Sequence, residues 1–156
     1  MKTTNPQFRA LKTMFVAAVC TIMFAFTPYV GGDTFEISLG DKTLIEQFVH
    51  HDKSVKTITL TESSANEMLS VRYSHCGVVG NARSLALKNS DNTIIKSWNF
   101  ADADKGTFPP MTCKVRDILA AAKGQKVSLV YTAKELPESK TLVTIVTSDV
   151  KASLNR

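Results

Sequence analysis

The sequence predicts a mainly β domain, an antiparallel β-sandwich with Greek-key-like connections and one short helix; a small β-barrel is the alternative. Three observations predict it. Short runs that alternate apolar and polar residues, or that are rich in β-branched residues, recur along the chain. They number roughly seven or eight, at intervals of roughly 8 to 15 residues, and Gly, Asn, Asp and Pro clusters separate them. Only one stretch has helical spacing, and a parallel sheet would need more crossover helices than that.

The first run, Thr34 to Leu39, carries Phe35, Ile37 and Leu39 on one face, and Gly40 and Asp41 turn the chain after it. Lys42 to Val49 is ambiguous, because Leu44, Ile45, Phe48 and Val49 also fit a helix; its shortness and β-branched surroundings favour a strand. Val55 to Leu60 reads as a strand by composition, mixing Val55, Ile58 and Leu60 with Thr57 and Thr59. Beyond the polar break Thr61 to Asn66, the run Met68 to Tyr73 puts Leu69, Val71 and Tyr73 on one face and delivers His75 and Cys76 to the strand's end. Arg83 to Leu87 resumes the alternation, and Asn89 to Asn92 is a hairpin-type turn. Thr93 to Phe100 follows, with Ile94, Trp98 and Phe100 in phase and expected in the core. Ala101 to Pro110 is the longest irregular stretch and leads to Met111 and Cys113. From Val115 to Lys123 the period changes: Val115, Ile118, Leu119 and Ala122 share a helical face, and Gly124 is placed to end the helix. Val127 to Thr132 and Thr141 to Thr147 form a last hairpin around Pro137, Glu138 and Ser139, and the polar tail from Asp149 is expected to fray.

Residues 1–32 read as an export signal. Lys2, Arg9 and Lys12 precede an apolar and small-residue run from Met14 to Phe26 that holds no acid. Val30 and Gly32 suit the positions that a signal peptidase inspects, so cleavage is expected between Gly32 and Asp33. A retained anchor would have only Met14 to Val30, interrupted by Pro28, against the roughly 20 residues that a span needs. Acylation at Cys20 is disfavoured because Val19 stands where a small residue is required. Of the 19 Lys and Arg, three lie in the leader; the remaining 16 face 14 Asp and Glu, a net of +2. So weak and interspersed a charge argues against nucleic acid or an anionic membrane surface as partner. Residues 33–156 then form a single domain, long enough to bury roughly two-thirds of its unfolded surface. Its place is secreted or periplasmic.

Export into an oxidising compartment leaves two cysteines, so the expected staple is a Cys76–Cys113 disulfide. Closing that loop would stabilise the domain by roughly 4 kcal/mol. The rival reading makes His75, Cys76 and Cys113, with Met111, soft ligands for copper or zinc, or a redox centre. Adjacent extended residues point to opposite faces, which places His75 and Cys76 poorly for one ion, and no Cys-x-x-Cys opens a helix. His50 and His51 diverge for the same reason. Asp102, Asp104 and Gly106 resemble part of a calcium loop but lack its third acid and its distant Glu.

No serine sits in a Gly-x-Ser-x-Gly turn and no acid pair has informative spacing, so no catalytic residue, cofactor or metal is assigned. Tyr73, Trp98 and Tyr131 could stack on a sugar, but all three fall in phase with apolar neighbours, where core packing is the stronger reading.

Tyr73-Ser74-His75-Cys76-Gly77, then Arg83, then Met111-Thr112-Cys113-Lys114-Val115 with Asp117, Ile118 and Leu119, resembles uncharacterised small exported bacterial proteins. The resemblance implies a compact extracytoplasmic β domain and supplies no substrate, cofactor or active-site residue. The expected function is non-enzymatic binding of an unidentified protein or glycan partner at the cell envelope or outside the cell, with a loop such as Ala101 to Pro110 to present.

If the leader is removed as read, protein recovered from its own compartment starts at or near Asp33. N-terminal sequencing checks this, and an intact Met1 or a lipid on Cys20 would refute it.

Overall fold

The computed structural model describes residues 32–104 and 106–148. The leader, apart from Gly32, and the tail from Asp149 lie outside them. Among the described residues, nine strands alternate with one α-helix and one short 3-10 turn. The strands are β1 Thr34–Leu39, β2 Lys42–Phe48, β3 Lys56–Thr61, β4 Met68–Ser74, β5 Ser84–Lys88, β6 Ile94–Asn99, β7 Met111–Lys114, β8 Val127–Thr132 and β9 Lys140–Ser148, and the helix is α1 Val115–Ala122. They form two open sheets, ordered β2-β1-β4-β7 and β3-β9-β8-β5-β6, and no barrel closes.

The predicted mainly β sandwich with one short helix is the observed architecture. Pairing is antiparallel except between β3 and β9, which run parallel with Ile58 opposite Ile145. The short strand β7 went unread in the sequence because its four residues, Met111 to Lys114, hold only two apolar side chains. It exists because β4 offers it a partner edge, with Cys113 opposite Leu69 and Met111 opposite Val71.

Alternation does the sorting. Phe35 and Ile37 on β1, Leu69, Val71 and Tyr73 on β4, and Met111 and Cys113 on β7 turn inward. They meet Ile58 and Leu60 of β3, Leu85 and Leu87 of β5, Leu129 and Tyr131 of β8 and Ile145 of β9. Each fully buried aliphatic side chain contributes about 1.5 to 3 kcal/mol relative to staying in water. On β2 the inward positions are Ile45 and the amide Gln47, whose Nε2 donates to the carbonyls of Asp52 (2.6 Å) and Ser54 (3.0 Å). Gln47 thus organises the turn after β2 while Phe48 faces outward, a two-residue period where the sequence allowed a helix.

Helix α1 follows β7 directly and packs Val115, Ile118, Leu119 and Ala122 into the core. Lys123 takes the left-handed conformation at its end (φ 49°) and donates its N–H to Leu119 O, with Gly124 also at positive φ. The helix packs near β7, the 3-10 turn Glu62–Ser64, the end of β3 and the start of β6, and so covers one end of the sandwich. The opposite end collects the segments before β1 and after β2, β4, β6 and β8. Among the described residues no helix is long and apolar enough to cross a membrane.

The in-phase set Ile94, Trp98 and Phe100 is only partly core. Trp98 and Phe100 are half-buried against it, and Ile94 is 58% exposed. The reason is arithmetic in the layers: four strands face five, and β6 is the outermost of the five.

Leu85→Ala is therefore expected to cost about 2 to 5 kcal/mol, whereas Ile94→Ala should stay within about 0.5 kcal/mol. Urea unfolding of the two variants measures the contrast.

Candidate functional site

The end away from the helix holds a polar cluster built on β4 and β8. Strand β4 ends with Tyr73, Ser74 and His75, and the chain then reverses through Cys76 and Gly77. His75 N–H donates to Val78 O (2.7 Å) and Val78 N–H to His75 O (3.0 Å), a two-residue hairpin turn. Both of its central residues have positive φ, 52° at Cys76 and 87° at Gly77, as the twist of such a turn demands. Gly77 takes that conformation freely, and Cys76 takes it at a cost of roughly 1 to 2 kcal/mol.

The tight turn fixes the direction of His75. Its Nδ1 lies 3.4 Å from Asp33 Oδ2 and its Nε2 3.1 Å from the Tyr131 hydroxyl. Asp33 Oδ2 also accepts the Tyr73 hydroxyl at 2.9 Å, and the Cys76 thiol reaches Oδ1 at 3.8 Å. Tyr73 stacks on Tyr131 with ring centroids 4.4 Å apart, and Phe35 continues the stack beyond Tyr73. One carboxylate before β1, one imidazole after β4 and one phenol on β8 thus tie both sheets together.

Gly80 passes so close that a Cβ there would lie 2.8 Å from each of His75 Nε2, Tyr131 Oη and Glu135 Oε2. Glu135 in turn accepts the Asn81 backbone N–H (2.9 Å) and side-chain amide (2.6 Å). Burial pushes the Glu135 carboxyl up, but the Asn81 hydrogen bonds, with nearby His75, leave it below its ordinary value. Burial raises the Tyr131 hydroxyl to about 12. It raises Tyr73 as well, reinforced by the hydrogen bond to Asp33, which holds the phenol proton in place.

The carboxylate, imidazole and hydroxyl in series have the order of a proton relay, but the hydroxyl at its end belongs to a fully buried tyrosine that holds its proton. Both His75 nitrogens are engaged by Asp33 and Tyr131, so the imidazole is not directed at the Cys76 thiol. What the arrangement does is clasp two sheets.

Beside the clasp lies the loop Ala101 to Pro110. Arg83, 5% exposed, sends Nη2 to Ala101 O (2.8 Å) and Nη1 to Pro109 O (3.0 Å), bridging both ends of the loop. Asp102 Oδ1 accepts the Ala82 N–H at 2.6 Å, and the Thr107 backbone and side chain both bond Asp104 O. The loop lifts Phe108, 47% exposed, between two clefts. One, about 260 Å³, is lined by Thr34, Glu36, Glu46, Arg72 and Ser74 on the outer face of the four-stranded sheet. The other, about 340 Å³, runs to Gly77 and Val78, whose side chain is 63% exposed.

The expected disulfide is corrected. Cys76 is exposed, Cys113 is buried, and both are free thiols. Cys113 pairs with Leu69 near the helix end, and Cys76 lies seven residues further along β4 and its turn. That is roughly 20 Å of extended chain, against the 7 Å or less between Cα atoms that a disulfide needs. The same separation breaks up the soft-metal and redox centre, because His75 and Cys76 are together while Cys113 and Met111 belong to the core. Among the described residues no three His, Cys, Asp or Glu side chains are disposed to hold a metal ion. His50 and His51 are exposed at the turn after β2, where the His50 ring packs over Gly32 and His51 meets Phe48 edge-on.

Sequence reasoning found Tyr73, His75, Cys76 and Tyr131 but missed Asp33, Gly80, Asn81 and Glu135. Nothing in the spacing marks these, since Asp33 meets His75 from 42 positions away and Glu135 meets Asn81 from 54. In comparison with known proteins, the chain matches no protein family, no curated protein and no solved structure.

The thiols supply a direct check. Burial, with Asp117 nearby, raises Cys113 to about 12, so in native protein at neutral pH a maleimide should label Cys76 within minutes and Cys113 only after unfolding. Mass spectrometry before and after denaturation should read one and then two adducts without added reductant; no adduct in native protein would restore the disulfide.

Proposed function

We propose that this chain is an exported, non-enzymatic β domain that binds a protein or glycan partner at the cell envelope or outside the cell, using the end opposite the helix. The observation that carries the reading is Phe108, an aromatic side chain raised into solvent between two clefts by a loop whose base is fixed. The Arg83 guanidinium holds Ala101 and Pro109, and Asp102 holds Ala82, so the loop needs little ordering on binding. A pre-set aromatic flanked by apolar Val78 and by polar Glu46, Arg72 and Thr34 has the composition of an interface centre with its rim.

The remaining features favour binding over chemistry. The polar cluster beside the loop joins sheets and keeps its tyrosine protons, and the loop side chains Asp102 and Thr107 are spent on backbone groups of the loop and its neighbour. A net charge of +2 over residues 33–156 keeps anionic polymers an unfavoured partner.

Capture of envelope and medium proteins and glycans on the immobilised chain tests the reading. Phe108→Ser should weaken capture of the bound partner by at least about tenfold, as loss of an interface anchor does, while the exposed control Ile94→Ser, toward the helix end, leaves it intact. Equal capture by wild type and Phe108→Ser, with both folded, would move the binding surface elsewhere.

A further inference from the structure

The bond between Gly32 and Asp33, read as the signal-cleavage site, stands one residue ahead of β1, and β1 is an inner strand of its sheet. Thr34 pairs with Phe48 on one side and with Ser74 on the other. Phe35 pairs with Gln47 and Tyr73 and is buried. Asp33 is held three ways. Its carbonyl accepts the Val49 N–H at 2.8 Å, its Oδ2 accepts the Tyr73 hydroxyl at 2.9 Å, and the same oxygen lies 3.4 Å from His75 Nδ1. On the leader side of the bond, Gly32 lies so close under the His50 ring that a Cβ there would collide with it.

A peptidase takes its substrate as an extended strand, with backbone groups around the scissile bond hydrogen-bonded to the enzyme. In the folded domain the residues that follow this bond have those groups committed to β2 and β4. Freeing them means drawing β1 out of the middle of the four-stranded sheet and taking Phe35 and Ile37 out of the core. Opening a core strand costs nearly as much as unfolding the whole domain. A flexible spacer after the bond would remove the conflict, but the strand begins at Thr34.

On the export reading of residues 1–32, on which this rests, we propose that the Gly32–Asp33 bond is cleavable only before β1 closes into its sheet, and that a chain which folds first keeps its leader. The reaction is a hydrolysis catalysed by a signal peptidase on extended chain at the membrane. The C–N bond breaks, the oxygen of water goes to the Gly32 carbonyl carbon and its protons to the Asp33 nitrogen, leaving a Gly32 carboxylate and an Asp33 α-ammonium. Cleavage and folding therefore compete, and their relative rates set how much of the protein is freed and how much stays joined to its leader.

The test gives purified signal peptidase the full chain in detergent in three forms: folded, freshly diluted from urea, and folded with a spacer of about eight Gly and Ser residues inserted between Gly32 and Asp33. Mass spectrometry of the products reads both the cleavage position and the rate. The diluted chain and the spacer form should be cut after Gly32, and the folded chain without a spacer at least about a hundredfold more slowly. If the diluted chain refolds too fast to be cut, the spacer form alone decides. Equal rates for the folded chain with and without the spacer, both cut after Gly32, overturn the proposal and leave export standing. A spacer form as resistant as the unmodified fold, while the diluted chain is cut, overturns it too. No cleavage after Gly32 in any form removes the export reading and the proposal with it.

Discussion

The contact on which the loop end depends is the stack of Tyr73 on Tyr131, with ring centroids 4.4 Å apart, where β4 of one sheet meets β8 of the other. Two apolar faces alone would let sheets slide. Two phenols in contact, each with its hydroxyl fixed, do not: Tyr73 donates to Asp33 and Tyr131 meets His75, which itself leans on Asp33. A buried polar network of this kind is costly when incomplete and rigid when satisfied, and here its members come from before β1, from β4 and from β8. The loops above it inherit that rigidity, because Asn81 and Glu135 lock the segments after β4 and β8 to each other.

The second constraint is the mismatch of a four-stranded sheet against a five-stranded one. Helix α1 covers the end it can reach and adds Val115, Ile118, Leu119 and Ala122 to the core. It does not extend the smaller sheet, so β6 overhangs. Five of its six residues are left exposed as a result.

The two thiols fall into different environments for the same topological reason. Cys113 occupies an inward position beside Leu69 and behaves as a small apolar side chain. Cys76 occupies a turn position that favours Asn or Gly, and its side chain stands in solvent beside Asp33. Without a staple between them, the described fold rests on its apolar core and on clasps of hydrogen bonds, chief among them Gln47, Arg83 and the Asp33–His75–Tyr131 series.

By itself the sequence determined every element whose residues repeat a period. Phe35 and Ile37, Leu69, Val71 and Tyr73, Leu85 and Leu87, and the helical set Val115, Ile118, Leu119 and Ala122 all lie where alternation or the 3.6-residue period put them, because a buried face must be apolar whatever it packs against. Sheet order was decided only in three dimensions. Whether Trp98 is central or marginal depends on how many strands lie beyond β6, and no local pattern encodes that count. The same holds for the cysteines: both sit near strand ends in the sequence, but the β4–β7 register sends them toward opposite ends of the sandwich. Asp33 and Glu135 became part of the candidate site through contacts spanning 42 and 54 positions. Contacts at such separation are set by topology, and a polar residue that makes one carries no periodic signature.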